Sequence, residues 1–230
     1  MKQSEFCAIE KYMQECMQDS AHDKEHVYRV LYSALDIAKT ETGVDYDVLI
    51  TACLLHDIGR KEQFENGALD HAEVGGDKAY AFLTGRGFSA EFAEKVKSCI
   101  VTHRFRKSNP PKSVEAKILF DADKLDVTGA MGVARTLVYK GGINDPLYSL
   151  KSDGTVSDGD GDEASSFFQE YHFKLKNVYS RFFTKRGEQI AKKRKRAADD
   201  FYNSLYAETT EAYGGARLLD RLLDGDDEEH

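Results

Sequence analysis

Apolar residues recur at helical spacing along most of the chain, and no stretch alternates as a half-buried strand requires. Phe6, Ile9, Met13 and Met17, with Tyr12 beside them, form one stripe and predict a helix over 5–17. Val27, Val30, Leu31, Ala34, Leu35 and Ala38 predict a second over 23–41, which Gly43 stops. Asp45 opens a third, which carries the apolar run 49–55 and ends at Gly59. The polar stretch 60–70, with Gly67 in it, reads as a loop. Helices follow over 71–83 and, after the turn Gly85-Arg86-Gly87 and the cap Ser89, over 90–103. Ser108-Asn109-Pro110-Pro111 is a break. Ser113 then starts a helix expected to continue past Gly129 to about Tyr139. Residues 141–166, rich in Gly, Asp and Ser, are irregular, and two long helices over 167–183 and 184–212 close the chain. The fold class is all-α, with a single domain over 1–223 and an acidic, disordered tail over 224–230.

Composition narrows the partners. A net charge of −8 opposes any general attraction to nucleic acid or to an anionic membrane. The basic run Lys192-Lys193-Arg194-Lys195-Arg196 wraps round a helix axis and has Glu188, Asp199 and Asp200 as neighbours, so it reads as a solvated helix. No apolar run reaches the length of a membrane span, and Cys7, Cys16, Cys53 and Cys99 show no Cys-x-x-Cys spacing. The N-terminus lacks the apolar core of a signal peptide, so a cytoplasmic, reduced protein is expected. The segment Asp158-Gly159-Asp160-Gly161-Asp162-Glu163 resembles a calcium loop but has Glu163 where Gly is needed and Gln169 where Glu is needed.

The chemistry lies in the histidines and in aspartates that interrupt apolar runs. His56-Asp57 closes 49–55, and an imidazole beside a carboxylate suits two neighbouring positions round one metal ion. By itself the pair reads more simply as a helix-end histidine with a capping aspartate. His22 and His26 share one face of the second helix, while His71 and His103 stand at helix ends. Asp121, Asp123 and Asp126 interrupt an otherwise apolar helix at Phe120-Asp121-Ala122-Asp123-Lys124-Leu125-Asp126. Buried carboxylates need a cation, and Lys124 is the local alternative to a metal.

The segments His22-Asp23-x-x-His26-x-x-Arg29-Val30, Leu55-His56-Asp57-Ile58-Gly59 and Asp121-Ala122-Asp123-Lys124-Leu125-Asp126 resemble, in order and spacing, the HD-domain metal-dependent phosphohydrolases. The resemblance covers residues 20–140, and the part around Tyr171-His172-Phe173-Lys174-Leu175 resembles a small stand-alone bacterial branch. It implies a helical bundle with extra C-terminal helices. It also implies a divalent ion (Mn, Mg, Ni, Co, Fe or Zn) held by His26, His56, Asp57 and Asp123. His71 and His103 match positions that complete a second metal site in binuclear members and face phosphate in mononuclear ones. His22 would support the site or cap its helix, and Asp121 and Asp126 would back the ligands or lie at the surface.

The implied activity is hydrolysis of a phosphate ester or phosphoanhydride, with a nucleotide the substrate class and pyrophosphate release from a nucleoside triphosphate the specific expectation. Asp57, Lys124, His71, His103 and Arg29 are the catalytic candidates: Arg29 orders the site through a carboxylate, while Lys124, His71 and His103 hold phosphate oxygens or protonate the leaving group. A non-catalytic nucleotide or metal sensor on the same fold is the alternative, and a nucleic-acid-binding helical protein is a weaker third. Homo-oligomerisation stays open.

Overall fold

The computed structural model describes residues 1–17, 24–104 and 109–224. His22 and the tail beyond Asp224 lie outside them. The protein is all-α, and a single bridge, Leu150 to Val156, is the only β pairing among the described residues. The chain divides into two compact units, residues 1–126 with 181–190, and residues 127–180 with 191–230. No described helix is long and apolar enough to cross a membrane.

The first unit holds α1 (Gln3–Cys16), α2 (Lys24–Ala38), α3 (Tyr46–Leu55), α4 (Arg60–Glu65), α5 (His71–Gly85), α6 (Ala90–Val101) and α7 (Val114–Leu125). Helix α3 has no polar stripe, and Val48, Leu49 and every residue from Thr51 to Leu55 are buried. An apolar helix of that kind must be central, and α1, α2, α6 and α7 all pack on it. Asp45 caps it by accepting from the amides of Asp47 and Val48. Ser89 and Ser113 cap α6 and α7 in the same way.

Helix α3 ends at Leu55, earlier than its apolar pattern suggested, so His56, Asp57, Ile58 and Gly59 form a turn. The stretch expected as a loop begins with α4, which buries no residue. Periodicity could not reveal it, because its ties to the rest of the unit are polar. Lys78 on α5 donates to the Ile58 carbonyl (2.8 Å) and pairs with Glu62 (2.6 Å).

The second unit contains α8 (Gly129–Gly142), α9 (Phe167–Glu170), α11 (Ala216–Asp224) and most of α10 (Lys185–Tyr213). The helix expected to run past Gly129 is two helices. Gly129 takes a φ of +62°, and a Cβ there would stand 2.8 Å from the Arg194 Cβ. The expected helix over 167–183 is also broken, into α9, a π-turn Tyr171–Leu175 and a 3-10 turn Val178–Ser180. These short pieces present Phe167, Phe168, Tyr171 and Leu175 to a core shared with Val133, Val156, Ala198 and Tyr202. Helix α11, with its apolar residues exposed, lies beyond the expected end of the helices at 212.

Residues 141–166 are non-helical after Gly142, yet they are tied down: Asp162 accepts from the hydroxyls of both Ser149 and Ser157. Tyr148 packs 5.7 Å from Phe168 and 5.8 Å from Tyr213 between ring centres.

Candidate metal centre

All the sequence-derived metal candidates come together inside the first unit. His26 lies in the first turns of α2 on its buried side. His56 and Asp57 follow α3 directly, His71 is the first residue of α5, His103 stands just beyond α6, and Asp123 is in the last turn of α7. His71 is placed by its neighbour Asp70, which caps α5 through the Ala72 amide (3.0 Å) and pairs with Arg104 (2.8 Å). Gly59 completes the arrangement. A Cβ there would sit 2.3 Å from the His71 carbonyl oxygen and 2.6 Å from the Gly75 amide, so only glycine lets the turn and α5 meet this closely.

Asp57 is central. Its Oδ2 lies 3.6 Å from Nε2 of both His26 and His56. Its Oδ1 lies 3.3 Å from His71 Nε2 and 3.6 Å from His103 Nε2. Each pair of imidazoles meets through its Nε2 atoms, 3.3 Å apart in both pairs, with the rings inclined at 67° for His26 and His56 and at 51° for His71 and His103. Asp123 joins the first pair, its Oδ1 being 3.4 Å from His26 Nε2. Two donor groups result, His26/His56/Asp123 and Asp57/His71/His103, each with its ligand atoms within 4.8 Å of one another.

The outward ring nitrogens settle what the inward ones offer. His56 Nδ1 donates to the Cys53 carbonyl (2.8 Å), His103 Nδ1 to the Ile100 carbonyl, and His71 Nδ1 to the Gln63 amide oxygen (2.6 Å). These oxygens only accept, so Nδ1 carries the proton and Nε2 keeps its lone pair. His26 Nδ1 donates to Asp126 (2.7 Å), and Arg29 grips the same carboxylate with two donors, at 2.8 and 3.1 Å. A carboxylate behind a histidine raises its basicity as a ligand and fixes its ring. Lone pairs facing one another at 3.3 Å repel unless a cation or proton lies between them. This donor set, all N and O with orienting partners, fits a divalent transition ion.

The electrostatics agree. Burial opposes charge on Asp57, yet His56, Arg60, His103 and His71 outweigh it and hold the carboxyl well below the usual range. Asp123 is held low in the same manner, against burial, by His26 and Lys124. Burial pushes His56 down to about 4, against the pull of Asp57, and also lowers His71. Ionised carboxylates and neutral imidazoles are the states a metal requires. His26 differs: burial lowers it, but hydrogen bonds to Asp123 and Asp126 prevail and raise it to about 9, so with no metal bound a proton there offsets the carboxylates.

Of the remaining candidates, Arg29 donates to Asp126, the carboxylate behind His26. Lys124 lies 3.9 Å from Asp123 and 5.3 Å above the Phe120 ring. Asp126 backs a candidate ligand. Asp121 points elsewhere and accepts from the amides of Phe183 (2.9 Å) and Thr184 (2.7 Å). Two residues were missed by sequence reasoning. Arg60 donates through Nε to Asp57 Oδ1 at 2.9 Å, and Gln63 orients His71. Arg60 stands three residues after Asp57, a spacing at which side chains on a helical turn meet, whereas the bond from His71 to Gln63 has no such local signal. Removing Asp126 is expected to weaken metal retention by about 10–100-fold, the usual range for a lost orienting partner. Calorimetric titration of Asp126→Ala with Mn checks this, and unchanged affinity would reduce Asp126 to a partner of Arg29.

A helical bundle whose core directs His and Asp donors onto one point defines a class of protein able to hold a divalent ion. Comparison with known proteins gives that class its family. The HD domain family profile matches residues 24–128. The chain is 30% identical over 200 residues to the uncharacterized protein YpgQ of Bacillus subtilis (strain 168), an alignment spanning 84% of this chain and 87% of that one. Its fold matches that of a predicted HD superfamily hydrolase from an uncultured Thermotogales bacterium, with a TM-score of 0.58 at 29% identity, over 90% of this chain and 92% of the other. It also matches B. subtilis YpgQ crystallised with ADP, with a TM-score of 0.68 at 25% identity, over 88% and 97%. The chain belongs to the HD-domain family.

Proposed function

We propose that the protein is a metal-dependent phosphohydrolase acting on a nucleotide, with His26, His56, Asp57 and Asp123 as the metal ligands. The observation that carries this is the convergence of four imidazole Nε2 atoms on the two oxygens of Asp57, every ring being fixed from behind through Nδ1. The hydrolase reading draws support from the Thermotogales relative's description, and the nucleotide reading from the ADP complex of YpgQ. Within the nucleotides, release of pyrophosphate from a nucleoside triphosphate is the reaction we favour.

A bound ion supplies Lewis acidity, which lowers the pKa of water and offsets phosphoryl charge. The chain's own residues do the rest. Asp126 and Arg29 hold His26 in register, and the carbonyl of Cys53 holds His56. His71 and His103, with their Nε2 atoms inward, face the phosphate and can receive or return a proton to the leaving oxygen. Lys124, beside Asp123, supplies positive charge to the phosphoryl oxygens.

Metal analysis of the purified protein, followed by a hydrolysis screen with Mn, Mg, Ni and Co over nucleotides, sugar phosphates and phosphodiesters, tests the proposal. Turnover of a nucleotide by metal-loaded protein is expected, and metal-loaded protein inert toward every phosphorylated compound would return the molecule to a sensing role. His71→Ala and His103→Ala should each lower kcat more than about tenfold. Full activity in both would make these histidines structural.

A further inference from the structure

Helix α4 carries one apolar residue, Phe64, among Arg60, Lys61, Glu62, Gln63 and Glu65. Phe64 is 81% exposed, more than any other large apolar residue among those described, and its ring contacts no other described ring. Packing does not account for it, because α4 buries no residue and is held to its unit by the polar bonds of Arg60, Gln63 and Glu62. A single exposed aromatic is ordinary on a protein surface, so its place decides its meaning. Residues three and four apart share one face of a helix. Arg60 reaches Asp57 at 2.9 Å and Gln63 holds His71 at 2.6 Å, so the face shared by Arg60, Gln63 and Phe64 is the one turned to the metal centre. Glu62 leaves from another face, toward Lys78 on α5. Phe64 follows Arg60 by about one turn, roughly 6 Å along the axis.

We infer that Phe64 is the platform on which the base of the nucleotide stacks. This rests on the phosphohydrolase reading above and deepens it, since that reading assigns residues to the phosphates and none to the base. Every nucleobase presents a π face, and an exposed aromatic ring beside a phosphate site gains by covering it. The two polar side chains on the same face are already engaged, Arg60 with Asp57 and Gln63 with His71. Helix α4 therefore offers the base a ring to lie on rather than hydrogen bonds along its edge. The same two bonds flank Phe64 and fix the helix that carries it, so the ring is set in register with the centre. Phe64 takes no part in bond breaking, and its loss should appear in affinity and KM while kcat is kept.

The test compares two ligands on the full chain with Mg present. One is an adenosine triphosphate analogue with a methylene bridge between its α and β phosphates, which resists hydrolysis there. The other is inorganic tripolyphosphate, which has no base. In calorimetric titration, Phe64→Ala should weaken the analogue by about 5- to 150-fold, the range for a lost base-stacking ring, and leave tripolyphosphate unchanged. Phe64→Tyr should restore the affinity, whereas Phe64→Leu, apolar but without a π face, should behave as Phe64→Ala. A second measurement uses the absence of Trp from the chain. Phe64→Trp places a single indole on α4, whose fluorescence the analogue should quench and tripolyphosphate should not. Phe173→Trp, at a 74% exposed position of the second unit, is the control and should respond to neither. Circular dichroism identifies a variant that has unfolded. Equal affinity of the wild type and a folded Phe64→Ala protein for the analogue, or an indole at 64 that the analogue leaves unquenched, overturns this inference and leaves the phosphohydrolase reading standing. A wild-type protein that binds neither ligand and hydrolyses no nucleotide overturns both.

Discussion

Asp57→Ala is expected to abolish metal retention and turnover while leaving helix content nearly unchanged. Both carboxylate oxygens are in use, Oδ2 toward His26 and His56, and Oδ1 toward His71, His103 and Arg60. No neighbouring carboxylate can replace it, because Asp123 reaches only the first pair and Asp126 lies behind His26. The fold survives because Asp57 follows α3 in a turn, and Arg60, 35% exposed, can turn to water once its partner is gone. Metal content after dialysis, nucleotide turnover and far-ultraviolet circular dichroism together check this. Retention of the ion or wild-type turnover in the mutant would sink the assignment of Asp57.

Gly59→Ala is expected to destabilise the first unit by about 1–3 kcal/mol, the range for overpacking a rigid site. The new methyl would meet backbone, the His71 carbonyl and the Gly75 amide, and neither is the flexible end of a side chain. Relief requires moving the start of α5, which carries His71, away from the turn that carries Asp57. The variant should therefore lose stability and also lose the alignment of the second donor group. Gly67→Ala, with nothing within 4 Å of its Cβ, is the matched control and should unfold at or near the wild-type temperature. Equal midpoints for the two variants would contradict the close approach.

Arg60 and Gln63 lie on α4, a helix with no buried residue, and such a helix leaves no apolar period to find. Lys78, on a different helix, binds both the turn before it and its own Glu62. A contact of that kind, 20 residues apart in one case and 16 in the other, has no local signature. The broken helix at Gly129 has a related cause. Its apolar pattern continues, but the backbone there reverses sign in φ beside Arg194, far along the chain.

The sequence by itself determined the all-α class, the caps at Asp45, Ser89 and Ser113, and the set of histidines and aspartates that meet at the centre. Those features are local: a cap needs only its own next few amides, and a charged residue closing an apolar run stands out without its partners. Tertiary structure alone decided which oxygen of Asp57 faces which histidine pair, and that Asp126 backs His26 while Asp121 binds the amides of Phe183 and Thr184. It decided also that Tyr148 joins an aromatic core. The three aspartates at the C-terminal end of α7, Asp121, Asp123 and the C-cap Asp126, are alike in sequence context. Only the direction in which each leaves its helix, roughly 100° per residue, sorts a ligand candidate from its support and from a capping carboxylate, and that direction has meaning only once the neighbouring helices are in place.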